Sequence, residues 1–244
     1  MIIQVKNLNK YDNDIRQRFQ EFSISSEQMY KIEDIGHNIF GMKKVLMMEN
    51  AGYGIVEFIL KKFKNIENLK ITAICGTGNN GGDAMVAARH LSIYCKNQIN
   101  VILLGKVNRI KTEEASMNFE IINKMKKSIK LEIFEDLNSK IKNNIIKSDI
   151  IIDGVFGTGI QGDIKYPHSI AIDLINKSQA YTIAVDIPSG LNPNTGEINS
   201  NCVRAESTIT FHRVKNGLLN NKKYTGVIYL KKIGLPKEVE DDIF

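Results

Sequence analysis

The chain has 244 residues, 43% of them hydrophobic, which is enough for one large domain with a full core. Its formal charge of +6 comes from scattered lysines (Lys61-Lys62, Lys126-Lys127, Lys222-Lys223, Lys231-Lys232) rather than a basic block, so a solvated surface with a modest pull on anions is expected and nucleic-acid binding is not. Cys75, Cys95 and Cys202 show no CxxC spacing, no apolar run approaches a membrane span, and the first twenty residues suit no leader, so no zinc site, no membrane span and a reducing, cytoplasmic setting are expected.

Residues 1–23 are polar and weakly patterned, with a short strand at Ile2-Ile3 and a helix around Ile15 to Phe22 as the best local reading. A cleaner helix starts at Ser25-Ser26, with Ser as N-cap, Gln28 close behind, and Met29, Ile32, Ile35 and Ile39 on one face. Gly41 breaks it, and a second helix buries Leu46, Ile55, Ile59 and Phe63. Its Met48-Glu49-Asn50-Ala51-Gly52 segment has small residues suited to close packing, with Glu49 and Asn50 at the surface. Strand and helix then alternate: strands at 71–75, 99–104, 130–134, 149–152 and 182–185, helices at 84–91, 112–126, 137–146 and from Pro167. Two more strands follow near 208–211 and 227–230. Repeated βα units of this kind imply a mainly parallel sheet with helices on both faces.

The most informative stretch is Ile71 to Leu91. A buried strand breaks into Gly76-Thr77-Gly78-Asn79-Asn80-Gly81-Gly82-Asp83, and a helical pattern starts at once. Glycines admit close backbone approach, and the helix start favours a phosphate or another anion. An ordinary dinucleotide site also places an acid roughly 20 residues on, to hold the ribose. Here the next strand ends in Gly105-Lys106, which speaks against an ordinary NAD-dependent dehydrogenase. Asn79 and Asn80 supply amide groups, and Asp83 can either cap the helix or take a ligand hydroxyl. Two further strands end in Asp153-Gly154 and in Asp186-Ile187-Pro188-Ser189. Ligands of parallel sheets bind outside the carboxyl ends of the strands, so three loops should share one crevice. It would contain Asn79, Asn80, Asp83, Asp153, Asp163, Asp186 and Ser189.

CGTGNNGGDAMVAARHL, DGVFGTGI, AVDIPSGLNPNTGEI and the upstream MMENAG resemble the N-terminal YjeF domain, the NAD(P)HX epimerase family, in the family's order from Ser25 to about Pro236. The resemblance implies a Rossmann-like three-layer α/β/α sandwich with N-terminal helices, here a single domain over 1–244 with no C-terminal dehydratase domain. It implies an isomerase, an NAD(P)H-hydrate epimerase that interconverts the R and S epimers of hydrated NADH or NADPH for a separate dehydratase, as a homodimer. Substrate-binding positions then fall on Asn79, Asn80, Gly81, Gly82 and Asp83, on Gly157, Thr158, Gly159, Ile160, Gln161, Gly162 and Asp163, and on Asp186. Potassium ligands fall on Asn80, Asp153 and Ser189. Asp186 is the candidate acid–base group, because epimerisation at a hydroxyl-bearing carbon next to nitrogen requires a proton to move. Thr77 stands where the family commonly has Pro and Ala84 where Gly is usual. Lys215 and Gly217 remain from a Lys-Pro-Gly segment that has lost its Pro. Some relatives serve in RNA-decapping assemblies without known epimerase activity, so a non-catalytic nucleotide-binding or scaffold protein is the alternative.

Overall fold

The computed structural model describes residues 2–4, 23–134, 139–158, 163–198, 200–241 and 243. The expected helix around Ile15 to Phe22 lies outside them.

Strand β1 (Ile2–Gln4) and the two-residue strand β2 (Ser23–Ile24) precede helices α1 (Ser26–Asn38) and α2 (Lys44–Lys62). Then come β3 (Ile71–Cys75), α3 (Asn79–Leu91), β4 (Ile99–Leu104), α4 (Glu113–Lys124), β5 (Ile129–Phe134), α5 (Ser139–Ile146) and β6 (Ile150–Gly154). The chain continues through α6 (His168–Lys177), β7 (Tyr181–Val185), β8 (Ser207–Phe211), β9 (Val214–Lys215), the single helical turn α7 (Lys222–Thr225) and β10 (Val227–Lys231). Eight strands form one sheet in the order β1-β10-β8-β7-β6-β3-β4-β5, parallel throughout except for β1, which runs antiparallel along the β10 edge. A separate parallel pair joins β2 to β9. The expected α/β fold is therefore present, with element ends within a few residues of those read from the sequence, except that α3 starts five residues earlier.

The strand order reverses at β3, which has β4 on one side and β6 on the other. Every residue of β3 and β6 is buried, as expected of strands covered on both faces. In register, Cys75 pairs with Gly154 and Ile74 with Asp153, so the loops after β3 and β6 leave the sheet side by side. That is the crevice position for ligands in an open parallel sheet.

On one face, α2 and α3 pack closely. A Cβ at Gly52 would lie 2.5 Å from the Val86 side chain and 2.7 Å from the Asp83 carbonyl oxygen, so the small residues of MENAG permit this approach. Asn50, exposed as expected, donates to the Ile233 carbonyl at 2.9 Å, and Glu49 pairs with Arg89 and His90 of α3. α1 begins with the anticipated cap. Ser25 Oγ accepts from the Gln28 amide while Gln28 Oε1 accepts from the Ser25 amide, a full capping box.

A turn at Lys237–Glu240 folds back on the loop between β8 and β9. Glu240 makes a two-point pair with Arg213 and reaches His212 Nε2 at 2.9 Å. The Arg213 hydrogen bonds pull the Glu240 carboxyl from 4.5 down to about 2. Because the folded value is the lower one, the stabilisation is complete above about pH 4.5 and disappears as the pH falls towards 2. Glu240→Gln should lower the unfolding free energy at pH 7 by about 1–2 kcal/mol, the lower part of the range for charged hydrogen bonds because the pair is part-exposed. The difference from the unsubstituted chain should shrink by pH 3; urea unfolding at both pH values checks this.

Candidate active site

β3 ends at Cys75, and the chain turns through Gly76, Thr77 and Gly78 directly into α3. Gly78 is the N-cap, extended and without a side chain to cap with. Asn79 to Asp83 are therefore the first five helical residues, and Asp83 is no cap: it is buried on the inner face of α3. The glycines explain why the helix starts this early. A Cβ at Gly81 would fall 2.0 Å from the Gly76 carbonyl oxygen, so only glycine lets the first helical turn lie back against the strand end. The free N–H groups of that turn, with the positive end of the helix dipole, make an anion site at the mouth of the crevice. The Asn79 side chain is tied sideways, accepting from Thr112 Oγ1 at 2.8 Å.

Beneath this turn, Asn80, Asp153 and Ser189 converge. Asp153 is fully buried. Its carboxylate accepts from the Ser189 amide at 2.9 Å and from Ser189 Oγ at 2.5 Å, and the Val155 amide reaches Oδ1 at 3.3 Å. Asn80 Nδ2 donates to the Val185 carbonyl at 2.5 Å and to the Phe156 carbonyl at 3.3 Å. Ser189 Oγ also lies 3.3 Å from the Phe156 carbonyl, so Asn80 and Ser189 meet around one backbone oxygen. Burial raises the Asp153 carboxyl to about 6 against the opposing pull of Ser189, and no basic side chain contributes. Among the described residues no three His, Cys, Asp or Glu side chains cluster as a metal site.

Asp186 follows β7 in the left-handed region, with φ 62°, a strained setting for a residue with a Cβ. Its Oδ1 accepts from Lys215 Nζ at 2.5 Å, from Thr210 Oγ1 at 3.0 Å and from the Phe211 amide at 3.0 Å. Its Oδ2 accepts no hydrogen bond from a described residue. Lys215 is 1% exposed and also donates to the Phe211 carbonyl at 2.9 Å.

A cavity of about 290 Å³ opens between these groups, lined among others by Tyr30, Glu33, Asn80, Asp83, Asp186 and Lys215. Asn79, Gly81, Gly157 and Thr158 also line it, as expected. Gly82 faces away, towards Met48 and Ala115, and Asp163 is exposed and off the cavity wall. Asp153 and Ser189 lie behind the wall rather than on it. Gly159, Ile160, Gln161 and Gly162 lie outside the described residues. Burial, reinforced by the charges of Asp186 and Glu33, holds the Asp83 carboxyl well above the ordinary carboxylate value. Burial likewise lowers His168, whose ring sits 4.8 Å from that of Phe156 on the same wall.

A family profile described as YjeF-related protein N-terminus matches residues 44–217, which is most of the chain and all three loops. The chain belongs to that family. An NAD(P)H-hydrate epimerase of Nitrosopumilus maritimus is 43% identical over 220 residues, covering 90% of this chain and 99% of the relative. A bifunctional NAD(P)H-hydrate repair enzyme Nnr of Pyrobaculum aerophilum is 37% identical, and there the match takes in 89% of this chain but 43% of the relative. The crystal structure of yeast ynu0 superposes with a TM-score of 0.77 over 90% of this chain and 92% of its own, at 19% identity, and so shares the fold.

Two cavity residues had no counterpart in the expected YjeF-family site. In the sequence Lys215 stands out only as the remnant of a Lys-Pro-Gly segment; its position four residues past the buried strand that ends at Phe211 is the available signal. Glu33 sits in α1, before the matched segment begins. Its spacing from Met29 and from Tyr30 on one side of the helix was visible, but nothing in the sequence told which side faced a cavity.

Gly81→Ala inverts the usual helix rule. In an open helix the change would stabilise by about 1 kcal/mol. Against the Gly76 carbonyl it should instead cost roughly 1–3 kcal/mol through overpacking, read as a lower thermal midpoint.

Proposed function

We propose that this chain is an NAD(P)H-hydrate epimerase, an isomerase that interconverts the R and S epimers of hydrated NADH and NADPH in nicotinamide nucleotide repair. The observation that carries the reading is Asp186: a carboxylate with one oxygen fixed by three donors and the other left to the cavity. Acid–base work needs a group whose position is set by its neighbours and whose reactive atom is not consumed by them. Lys215, Thr210 and the Phe211 amide do the first, and Oδ2 meets the second. The 43% identity to an NAD(P)H-hydrate epimerase over 90% of the chain supports the substrate class.

In this reading the first turn of α3 and the Gly157-Thr158 loop hold the diphosphate through backbone N–H groups. The hydroxyl-bearing ring carbon then lies in the cavity beside Asp186. A volume of about 290 Å³ is at the low end for ligand pockets, enough for the reacting end of the dinucleotide with the rest along the rim. Asn80, Asp153 and Ser189 would hold potassium. They fit, because a fully buried carboxylate without a basic partner, a hydroxyl and an amide are oxygen donors suited to a hard monovalent cation. Turning the Asn80 amide over would present its oxygen. When bound there, the ion would supply positive charge behind the diphosphate-binding turn.

A cytoplasmic setting is supported by three free cysteines, and among the described residues no helix is long and apolar enough to cross a membrane. A homodimer is supported by exposed Ile39, Phe40 and Leu46 around the α1–α2 corner. The functional partner would be a dehydratase acting on one epimer. The scaffold alternative finds no support here, since Asn80, Asp83, Asp153, Asp186 and Ser189 all gather on or directly behind the cavity wall.

The test follows the approach to equilibrium of hydrated NADPH enriched in the R epimer, resolved by chromatography. The chain should accelerate it well beyond the spontaneous rate, and Asp186→Asn should reduce that acceleration about 10²–10⁴-fold, the usual worth of acid–base catalysis. A folded chain that gives no acceleration with potassium present would sink the epimerase reading and favour the scaffold one. Potassium is checked separately: its addition to a potassium-free sample should raise the thermal midpoint, and Asp153→Asn should abolish that response.

A further inference from the structure

The same cavity is lined by a carboxyl that the acid–base scheme above leaves unused. Glu33 projects from α1 into the same cavity as Asp186 and makes no hydrogen bond or ion pair with any described residue. α1 is fixed over the cavity. Tyr30 Oη lies 2.9 Å from Thr158 Oγ1, and the Ser26 amide donates to Asn194 Oδ1 at 2.8 Å.

We infer that Glu33 is the second acid–base group of the site, a carboxylic acid on the α1 wall that acts on one face of the epimerising carbon while Asp186 acts on the other from the sheet. This rests on the epimerase reading. Inverting a centre requires chemistry on both of its faces, and a single carboxylate on one wall reaches only one.

The charged and titratable groups around Glu33 define its state. Asp34 lies beside it on α1, Lys44 comes from α2, Asp83 from α3, Asp186 from the end of β7 and Lys215 from β9. Burial is the largest influence and lifts the Glu33 carboxyl from 4.5 to about 7; Lys215 pulls it down and the Asp186 charge pushes it up. A donor is most effective when its value lies near the working pH. Burial holds the Asp83 carboxyl above its ordinary value, while Asp186 is ion-paired to Lys215. Glu33 is the carboxyl poised to give its proton and take it back.

The step balances without an oxidant or reductant. Glu33 gives its proton to the ring hydroxyl; the C–O bond breaks with its electron pair leaving on oxygen, and water is released. The lone pair of the adjacent ring nitrogen forms the C=N bond. Water then adds to the carbon from the Asp186 side, its oxygen pair forming the new C–O bond while its proton passes to Asp186. The C=N pair returns to nitrogen. Glu33 ends ionised and Asp186 protonated, the arrangement needed for the reverse epimerisation, and proton exchange of both carboxyls with water restores the starting state.

The experiment compares wild type, Glu33→Gln, Glu33→Asp and Asp186→Asn for epimerisation of hydrated NADPH between pH 5.5 and 9. With the epimer whose hydroxyl Glu33 protonates as substrate, wild-type kcat should fall as the pH rises through about 7, where Glu33 loses its proton. With the other epimer it should not. Glu33→Gln should lower kcat at least 100-fold with KM within about threefold, and its residual rate should lack that fall. Glu33→Asp, which keeps the acid, should recover part of the rate together with a high-pH fall. A Glu33→Gln rate within threefold of wild type, or a loss confined to KM, overturns the role of Glu33 while Asp186→Asn still reports on the epimerase reading. A wild type without epimerase activity overturns both.

Discussion

A lysine ammonium almost sealed from water is the interaction around which the site is arranged. Leaving Lys215 unpaired in that position would cost several kcal/mol. Asp186 Oδ1, at 2.5 Å, and the Phe211 carbonyl, at 2.9 Å, take up two of its three donors. The pairing fixes more than a charge. It holds Asp186 where its backbone must adopt φ 62°, at the end of a strand whose next amide already bonds across to Ile209. Strain at one residue is tolerated because three neighbours determine its place. The same ion pair sets the field felt by the other carboxyls: Lys215 pulls both Glu33 and Asp83 down, while Asp186 pushes both up.

Around that pair the sheet supplies a rigid floor. β3 and β6 are buried along their whole length, and their side-by-side ends deliver two polar loops within hydrogen-bond reach of one another. Asn80 spans the gap, touching carbonyls that follow β6 and close β7. The consequence is a site whose polar groups are carried by strand ends and one helix start, where position is more precise than on long loops. The α1 wall is different in kind: it is held to the rest by Tyr30–Thr158, Ser26–Asn194 and the β2–β9 pair.

The sheet was legible in the sequence because its signal is local. Ile71-Thr72-Ala73-Ile74-Cys75 and Ile150-Ile151-Ile152 are apolar runs of strand length bounded by polar turns, and the rule that ligands sit beyond parallel strand ends then gathers Asn80 and Asp186 without coordinates. Ser25 and Gln28 announced their capping box for the same reason. What was not legible depends on contacts between distant parts of the chain. Asp83 reads as a cap by composition, but the helix starts five residues earlier because Gly81 lets it press on Gly76, a packing fact. Asp163 reads as part of a glycine-rich phosphate loop and is instead exposed. Lys215 looks like any surface lysine until β9 is paired with β2, and Glu33 looks like a solvated helix residue until it is found lining the cavity.

The pairing of Ser23 with Val214 and of Ile24 with Lys215 joins segments 191 residues apart. Contacts of such long sequence separation carry a large loop-closure cost and form slowly. The βα units between them can assemble through nearer neighbours, but the cavity has no far wall until this two-stranded ladder closes. A refolding chain would therefore acquire the central strands of its sheet before it acquires a competent pocket, and recovery of function would report a late joining event rather than the first collapse.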